Sequence, residues 1–492
     1  MSSLLGAWRP SLAFPVALVG VATATSAAAL SLAYTLEGHE LHYYLGGWPP
    51  PLGIEYLVDT VAAFAATVVT GVALLVVMGT RRIALAEFPD RLGLFYALAL
   101  LILTGITGMI VTHDLFNLYI FMEIGSLATY ALVFMGGPQG MVAGFRYLIL
   151  GSIGGGFYLL GVGFLYFTTG SLNMADVSGL LVQQQESRAV LAGAVFIFTG
   201  FGLKMALFPL HLWLPDAYTY SPSAVNTLIA PIMTKAAAFA LLRMFLSVFP
   251  PGYLTDVVPV GSAMVGLGLV GMVVGSLAAV SQSDYRRILA YSSVGQLGLI
   301  AVGIGLATPL GFAAALLHIM NHAIMKGCLF LVATNVRFRT GRSDLDGMTN
   351  LGRNMPVTLG AFSLAALSMV GVPPLAGFFS KLYLAQAGIG EGNWLVALVV
   401  LASSLLTAAY LFRVVERAYL GTEHDSTAPH IDMPAYTCTV GAAAAASITR
   451  EAPLDMLLPT VLLAVAAIGV GVANAAILAH VLEPGLLAWT NP

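Results

Sequence analysis

The chain has 492 residues, 59% of them hydrophobic and only 9% charged, with a formal net charge of −3 and a mean hydropathy of +0.90. That composition excludes an ordinary soluble domain and defines a polytopic α-helical membrane protein. Two cysteines exclude a disulfide framework or a cluster-bearing redox site, and the small net charge carries little information about partners.

Taken in order, the apolar runs predict about 13 transmembrane segments of about 20 residues or more. They cover residues 12–34, 55–79, 92–111, 115–135, 144–168, 189–209, 222–249, 257–280, 285–306, 309–335, 356–387, 394–420 and 456–481. The first follows Arg9 and contains small residues, as a secretory signal does, but it is too long for such a signal and reads as a span. Residues 43–59, YYLGGWPPPLGIEYLVD, have the Gly, Pro and aromatic content of a short hairpin on the membrane surface. Residues 421–455 read as a polar, Ala-rich linker. The expected divisions are N-terminal helices and hairpin at 1–111, repeat units at 112–249 and 250–420, the linker at 421–455 and a last helix at 456–492.

Arginines fall in alternate loops: Arg9; Arg81, Arg82 and Arg91; Arg146; Arg286 and Arg287; and Arg337, Arg339, Arg342 and Arg353. Basic loops stay on the cytoplasmic side, which predicts a cytoplasmic N-terminus and an external C-terminus. The four lysines, Lys204, Lys235, Lys326 and Lys381, instead fall within apolar segments. A lysine at bilayer depth is costly unless it faces a bundle interior or a water path, and lysine, unlike arginine, can lose its proton when desolvated. This placement points to proton movement.

The stretch 200–223, GFGLKMALFPLHLWLPDAYTYSPS, joins Lys204 to prolines at 209 and 215, with His211 and Asp216 in the expected break. Irregular backbone survives at membrane depth only where protein or water satisfies it. Glu123, mid-helix in LFNLYIFMEIGSLATYALVF, is the natural counter-ion of Lys204; the plainer alternative is pairing with a neighbouring hydroxyl or amide. Lys235 follows Pro231 in LIAPIMTKAAAFALL, and packing alone is its plainer reading. His318, His322 and Lys326 in LLHIMNHAIMKGCLF are four residues apart, hence on one helical stripe at about 6 Å of rise per step. Lys381 follows a second predicted break at Pro373, Pro374 and Gly377, its plainer reading being a snorkelling terminal side chain.

Two other patterns carry less. GLGLVG at 266–271 has the dinucleotide spacing but lies inside an apolar helix without a preceding strand. His424, His430 and Cys438 share the linker at a spacing that fits no metal site. No cofactor, metal or nucleic acid is expected.

The segments YYLGGWPPPLGI, NLYIFMEI, KMALFPLHLWLPDAY, SPSAVNTLIAPIMTKAAAFALLR, YRRILAYSSVGQLG, HIMNHAIMKGCLFL and GVPPLAGFFSKLYL resemble the antiporter-like proton-channel subunits shared by Mrp-type Na+/H+ antiporters and respiratory complex I. The resemblance spans nearly the whole chain. It implies a prokaryotic plasma-membrane protein with 14 helices, two inverted five-helix repeats, two broken helices and a hydrated polar axis. It further implies homologous membrane subunits as partners, with protons and Na+ as cargo. Residue by residue, Glu123 and Lys204 match the coupling pair, Lys235 the central lysine, His318 and His322 the relay histidines and Lys381 the exit-side lysine. Lys326 matches a position often basic in the family. Lysine at both the central and final positions resembles the Mrp D or complex I N type, with the length and hairpin favouring the Mrp D type. The family has two helices before the hairpin, whereas this chain has one, a departure outside the repeats. The function implied is a proton-translocating subunit of a cation/proton antiporter. The alternatives are a membrane-arm subunit of a complex I or hydrogenase-type redox pump, or an energy-coupling subunit for inorganic-carbon uptake.

Overall fold

Apolar segments in a bilayer must satisfy their own backbone hydrogen bonds, which a helix does within one segment. The computed structural model describes residues 10–250, 252–421 and 451–490. Helix α1 (Ala13–Thr35) leads to a hairpin of β1 (Leu41–Tyr44) and β2 (Glu55–Val58), followed by α2 (Thr60–Gly79), the short α3 (Arg81–Glu87), α4 (Leu92–Val111), α5 (Leu115–Phe134) and α6 (Gly137–Thr169). Next come the short α7 (Met174–Leu181), α8 (Arg188–Lys204), α9 (Trp213–Tyr220), α10 (Ser223–Ser247), α11 (Val260–Val280), α12 (Tyr285–Gly305) and α13 (Pro309–Thr340). Helices α14 (Pro356–Val370), α15 (Ala376–Gly390), α16 (Trp394–Leu420), α17 (Leu454–Val472) and α18 (Glu483–Thr490) follow, with single-turn helices at Leu351–Asn354 and Asn474–Ile477.

Eleven of these helices are long and apolar enough to cross a membrane. The expected count of about 13 is larger: the further two segments, 189–209 and 356–387, are interrupted and fall outside these eleven. The hairpin forms as expected, antiparallel with Leu41 opposite Val58 and Tyr44 opposite Glu55. His424, His430 and Cys438 lie outside the described residues, as does Arg9.

Burial ranks the helices. The apolar windows of α10 and α12 are 94% buried and that of α13 is 100% buried, against 11% for α1. The central three are therefore shielded from lipid by their neighbours, while α1 presents most of its surface outward.

Two copies of one local design face opposite ways. Asp114 caps α5 by accepting from Asn117 N at 2.7 Å, and Asp284 caps α12 by accepting from Arg287 N at 2.9 Å. Each cap is tied to the loop after the next long helix, by Asp114 pairing with Asn173 and Asp284 with Asp344. Those long helices, α6 and α13, have 33 and 32 residues and end in left-handed Gly170 and Gly341, a conformation glycine adopts without steric cost. Each unit then runs into a broken helix. Arg243, near the end of α10, meets Asp59 beside the hairpin, whereas Arg337, in the last turn of α13, donates to Ser223 at the start of α10. The second unit is thus inverted relative to the first.

The GLGLVG sequence lies inside α11 and serves packing. A Cβ on Gly268 would meet Gly298 O of α12 at 2.6 Å, and a Cβ on Gly298 would meet Gly268 O at 2.6 Å, whereas one on Gly266 meets nothing within 4 Å. Gly298→Leu should therefore destabilise the α11–α12 contact by about 1–3 kcal/mol and lower the melting temperature of the detergent-solubilised protein, with Gly266→Leu near wild type.

Candidate functional site

Helix α8 ends at Lys204, with its cap at Met205, four residues before Pro209. Ala206 then takes φ of 60°, a left-handed conformation that costs a non-glycine residue about 1–3 kcal/mol and persists where its surroundings impose it. Trp213 Nε1 donates to Leu203 O at 2.9 Å, satisfying a carbonyl that the interruption frees. Pro215 and Asp216 lie in the first turn of α9, where proline's missing N–H has no helical partner to lose. The break is therefore confined to 205–212 and contains His211 but not Asp216, narrower than the sequence suggests.

The Lys204 ammonium donates to Glu123 Oε1 at 2.7 Å, Ser126 Oγ at 2.9 Å and Tyr130 OH at 3.4 Å. Three acceptors match its three protons. Its place in the last turn of α8 adds the negative end of the helix dipole. Glu123 fits because α6 has glycine opposite it: a Cβ at Gly155 would lie 2.4 Å from Glu123 Oε1.

Lys235 is fully buried in α10, whose interior carries Pro231. Its ammonium donates to Ala230 O at 2.7 Å and lies 3.4 Å from Thr234 Oγ1. No carboxylate pairs with it among the described residues. Its electrostatic neighbours include His318, His322 and Lys326 on α13.

On α13 the predicted stripe is present and wholly buried. His318 Nδ1 lies 2.9 Å from Ser380 Oγ of α15, and Nε2 lies 2.9 Å from Gln296 Oε1 of α12. The His318 and His322 rings stack with centroids 5.9 Å apart. Neither nitrogen of His322 has a partner among the described residues, and leaving such groups unsatisfied costs about 1–3 kcal/mol each. Lys326 is held by Leu289 O and Ser292 Oγ of α12.

The second break runs from Gly371 to Leu375, between α14 and α15, so Gly377 sits within α15. Lys381 reaches back from α15 to donate to Met369 O at 2.8 Å and Val370 O at 3.0 Å, and to Ser404 Oγ at 3.1 Å. Its ammonium is thus bound to the negative end of α14, and at 6% exposed Lys381 does not snorkel.

All seven sequence-predicted residues lie on α5, α8, α10, α13 and α15 in the bundle interior. The supporting hydroxyls and amides, Ser126, Tyr130, Gln296, Ser380 and Ser404, went unrecognised because neutral polar residues are common in membrane helices. Arg243, 1% exposed and paired with Asp59 at 2.6 Å, was also missed; its signal is an arginine inside the predicted span 222–249.

Fold and site together define a helical membrane protein with two interrupted helices, each bearing a buried lysine, and further lysines and histidines buried in the bundle. A family described as NADH:quinone oxidoreductase/Mrp antiporter, TM, matches residues 112–407. The chain is 43% identical to NADH-quinone oxidoreductase subunit N of Desulforudis audaxviator over 94% of this chain and 91% of that protein. It is 33% identical to the D component of the Na(+)/H(+) antiporter of Alkalihalophilus pseudofirmus over 77% of this chain and 76% of that protein. Among solved structures it superposes on a chain of the Mrp complex from Dietzia sp. with a TM-score of 0.88 at 25% identity, covering 100% of this chain and 96% of that one. A chain of Thermus thermophilus respiratory complex I gives 0.74 at 26% identity, covering 97% and 96%. The protein belongs to the NADH:quinone oxidoreductase/Mrp antiporter membrane family.

Truncating Glu123 alone leaves Lys204 as a buried charge without its counter-ion. Glu123→Ala should destabilise the protein by about 3–5 kcal/mol, with the Glu123→Ala/Lys204→Met double variant recovering much of the loss. Thermal melts of the four combinations in detergent check this.

Proposed function

We propose that this chain is the proton-translocating subunit of a multisubunit membrane complex, with Glu123, Lys204, Lys235, His318, His322 and Lys381 as the sequence of proton carriers. The observation that carries the reading is the Glu123–Lys204 contact of 2.7 Å inside the bundle, next to a helix that stops at the lysine. When Glu123 moves away, the lysine keeps only neutral acceptors and its proton is driven toward Lys235. From there the imidazoles of His318 and His322 lead to Lys381 at the second break. Lys326 contributes a fixed field beside His322.

The orientation that fits this reading has the N-terminus in the cytoplasm and the hairpin outside the plasma membrane, in keeping with the alternating arginine loops. Its partners would be further membrane subunits, and protons, with Na+ in an antiporter, its cargo. The repeat units at 112–249 and 250–420 would act as its two half-channels.

An Mrp-type cation/proton antiporter is supported by the match to the Dietzia Mrp chain. A redox-driven pump is the second reading, favoured by the identity and coverage shared with the Desulforudis oxidoreductase relative. Affinity purification of the tagged chain from its native membrane distinguishes them: small antiporter subunits should co-purify in the first case, and redox subunits in the second.

Glu123→Gln should abolish proton movement by the complex in energised vesicles while the complex assembles in normal amount. Wild-type transport by that variant removes Glu123 from the mechanism.

A further inference from the structure

The expected linker at 421–455 is anchored at its far end, and the anchor lies against the second interrupted helix. Helix α14 starts at Pro356 with no side-chain cap of its own from Met355. Proline brings no N–H, so the first donors left open are those of Val357 and Thr358. Glu451 takes both: its Oε2 accepts from Val357 N at 2.8 Å and from Thr358 N at 3.4 Å, and its Oε1 accepts from the Thr358 hydroxyl. The backbone carbonyl of Glu451 accepts from Arg339, in the last turn of α13, at 3.1 Å from Nε and 2.6 Å from Nη2. Asp455, in the first turn of α17, accepts from Arg82 Nε of α3 through both oxygens, at 2.8 and 2.7 Å.

The other end of α17 reaches the break itself. A Cβ on Gly471 would stand 2.1 Å from Pro374 O and 2.8 Å from Ala376 N, whereas one on Gly469 would meet nothing within 4 Å. Across the break, a Cβ on Gly377 would stand 1.9 Å from Ser368 O, and Gly377 N donates to Ser368 Oγ at 3.3 Å, so the end of α14 and the start of α15 touch. The segment 451–471 is thus in contact with both ends of α14, through a carboxylate at its N-terminus and a glycine beside the break.

The placement of α14 matters because Lys381 stands on α15 while two of its three acceptors, Met369 O and Val370 O, belong to α14. Lys204 differs: it is itself the last residue of α8, so that lysine and helix end form one body. In the second unit the ammonium and its carbonyls are on separate helices across a break, and their distance depends on where α14 lies along its axis. His318 adds to the demand, since its ring is on α13 and its Ser380 partner on α15. Helix α13 is also the one that Arg339 ties to Glu451.

We propose that residues 451–471 are a brace for the second interruption, with Glu451 and Gly471 as positioning residues that hold the α14 carbonyls against the Lys381 ammonium and keep α14 in register with α13. The inference rests on the proton axis proposed above and gives a part in it to the C-terminal segment, which lies outside both proposed repeat units. Neither residue touches the proton. Glu451 sets the axial position of α14 from its N-terminus, through N–H groups and the positive end of the helix dipole. Gly471 sets the depth of the break by letting backbone meet backbone, which accounts for a glycine inside a helix where it is otherwise unfavourable.

The test measures proton movement per assembled complex in energised vesicles holding the native complex, together with hydrogen–deuterium exchange of the purified complex. Gly471→Ala displaces the Pro374 carbonyl and should slow proton movement by about 10²-fold, the loss that a misplacement of about 1 Å brings, with Gly469→Ala at the wild-type rate. Glu451→Ala should slow it comparably, and Glu451→Gln, which keeps an acceptor oxygen for the α14 amides, should recover most of the rate. In both slow variants exchange should rise at 367–372, the end of α14 that holds Lys381. If Glu451→Ala raises exchange at 357–360 alone and keeps the wild-type rate, Glu451 is a local cap and the brace is overturned. Should Glu451→Ala fail to assemble, Thr358→Val, which removes only the hydroxyl's bond, takes its place with a loss in the same direction. Wild-type rates in Thr358→Val and Gly471→Ala, with Glu123→Gln inactive, overturn the brace and leave the axis standing. Wild-type transport in Glu123→Gln overturns the axis and the brace together.

Discussion

The interior of this protein depends on how an ammonium group is held where lipid surrounds the bundle. Each of the four lysines is satisfied mainly by neutral oxygen, and among the described residues only Lys204 has a carboxylate at hydrogen-bonding distance. Much of that oxygen is backbone carbonyl: Ala230 for Lys235, Leu289 for Lys326, and Met369 and Val370 for Lys381. A carbonyl dipole stabilises an ammonium without a second buried charge that must itself be desolvated. The second helix interruption is therefore chemical as well as topological, since Met369 and Val370 at its edge hold Lys381. It provides a helix end inside the bundle, and helix ends provide carbonyls.

The inverted units show how one framework carries different chemistry. In the first, the caps at Asp114, the long helix α6 and its terminal Gly170 set a frame in which Gly155 makes room for Glu123. In the second, Asp284, α13 and Gly341 repeat that frame, and Lys326 stands on α13 at the place corresponding to Gly155, counted back from the terminal glycines. The residues it meets on α12 are Leu289 and Ser292. Where the first unit sets an acid on α5 against glycine on α6, the second sets serine on α12 against a lysine on α13.

Much of this is legible in the sequence, for physical reasons. Lysine and glutamate inside apolar runs stand out because their insertion is expensive, and spacing of four on a helix fixes a common face, so the α13 stripe follows from numbers alone. The hairpin follows from its Gly and Pro content. Boundaries of the breaks do not, because proline marks where a helix cannot continue and says nothing of where it stops: α8 ends five residues before Pro209, and Pro215 lies in the first turn of a new helix. Pairing across distant segments is equally hidden. Arg243 looks like an isolated charge until α2, α4 and the hairpin converge on it.

The population of the axis has a further consequence. It holds one carboxylate at the Glu123 end and only bases beyond, so its groups cannot all be charged together without uncompensated repulsion in a poorly screened interior. On the proposed proton path, what travels is then better described as a vacancy among bases, entering where the single acid releases its partner. Such a chain has a built-in polarity: its two ends differ in chemistry even though its two halves share a fold.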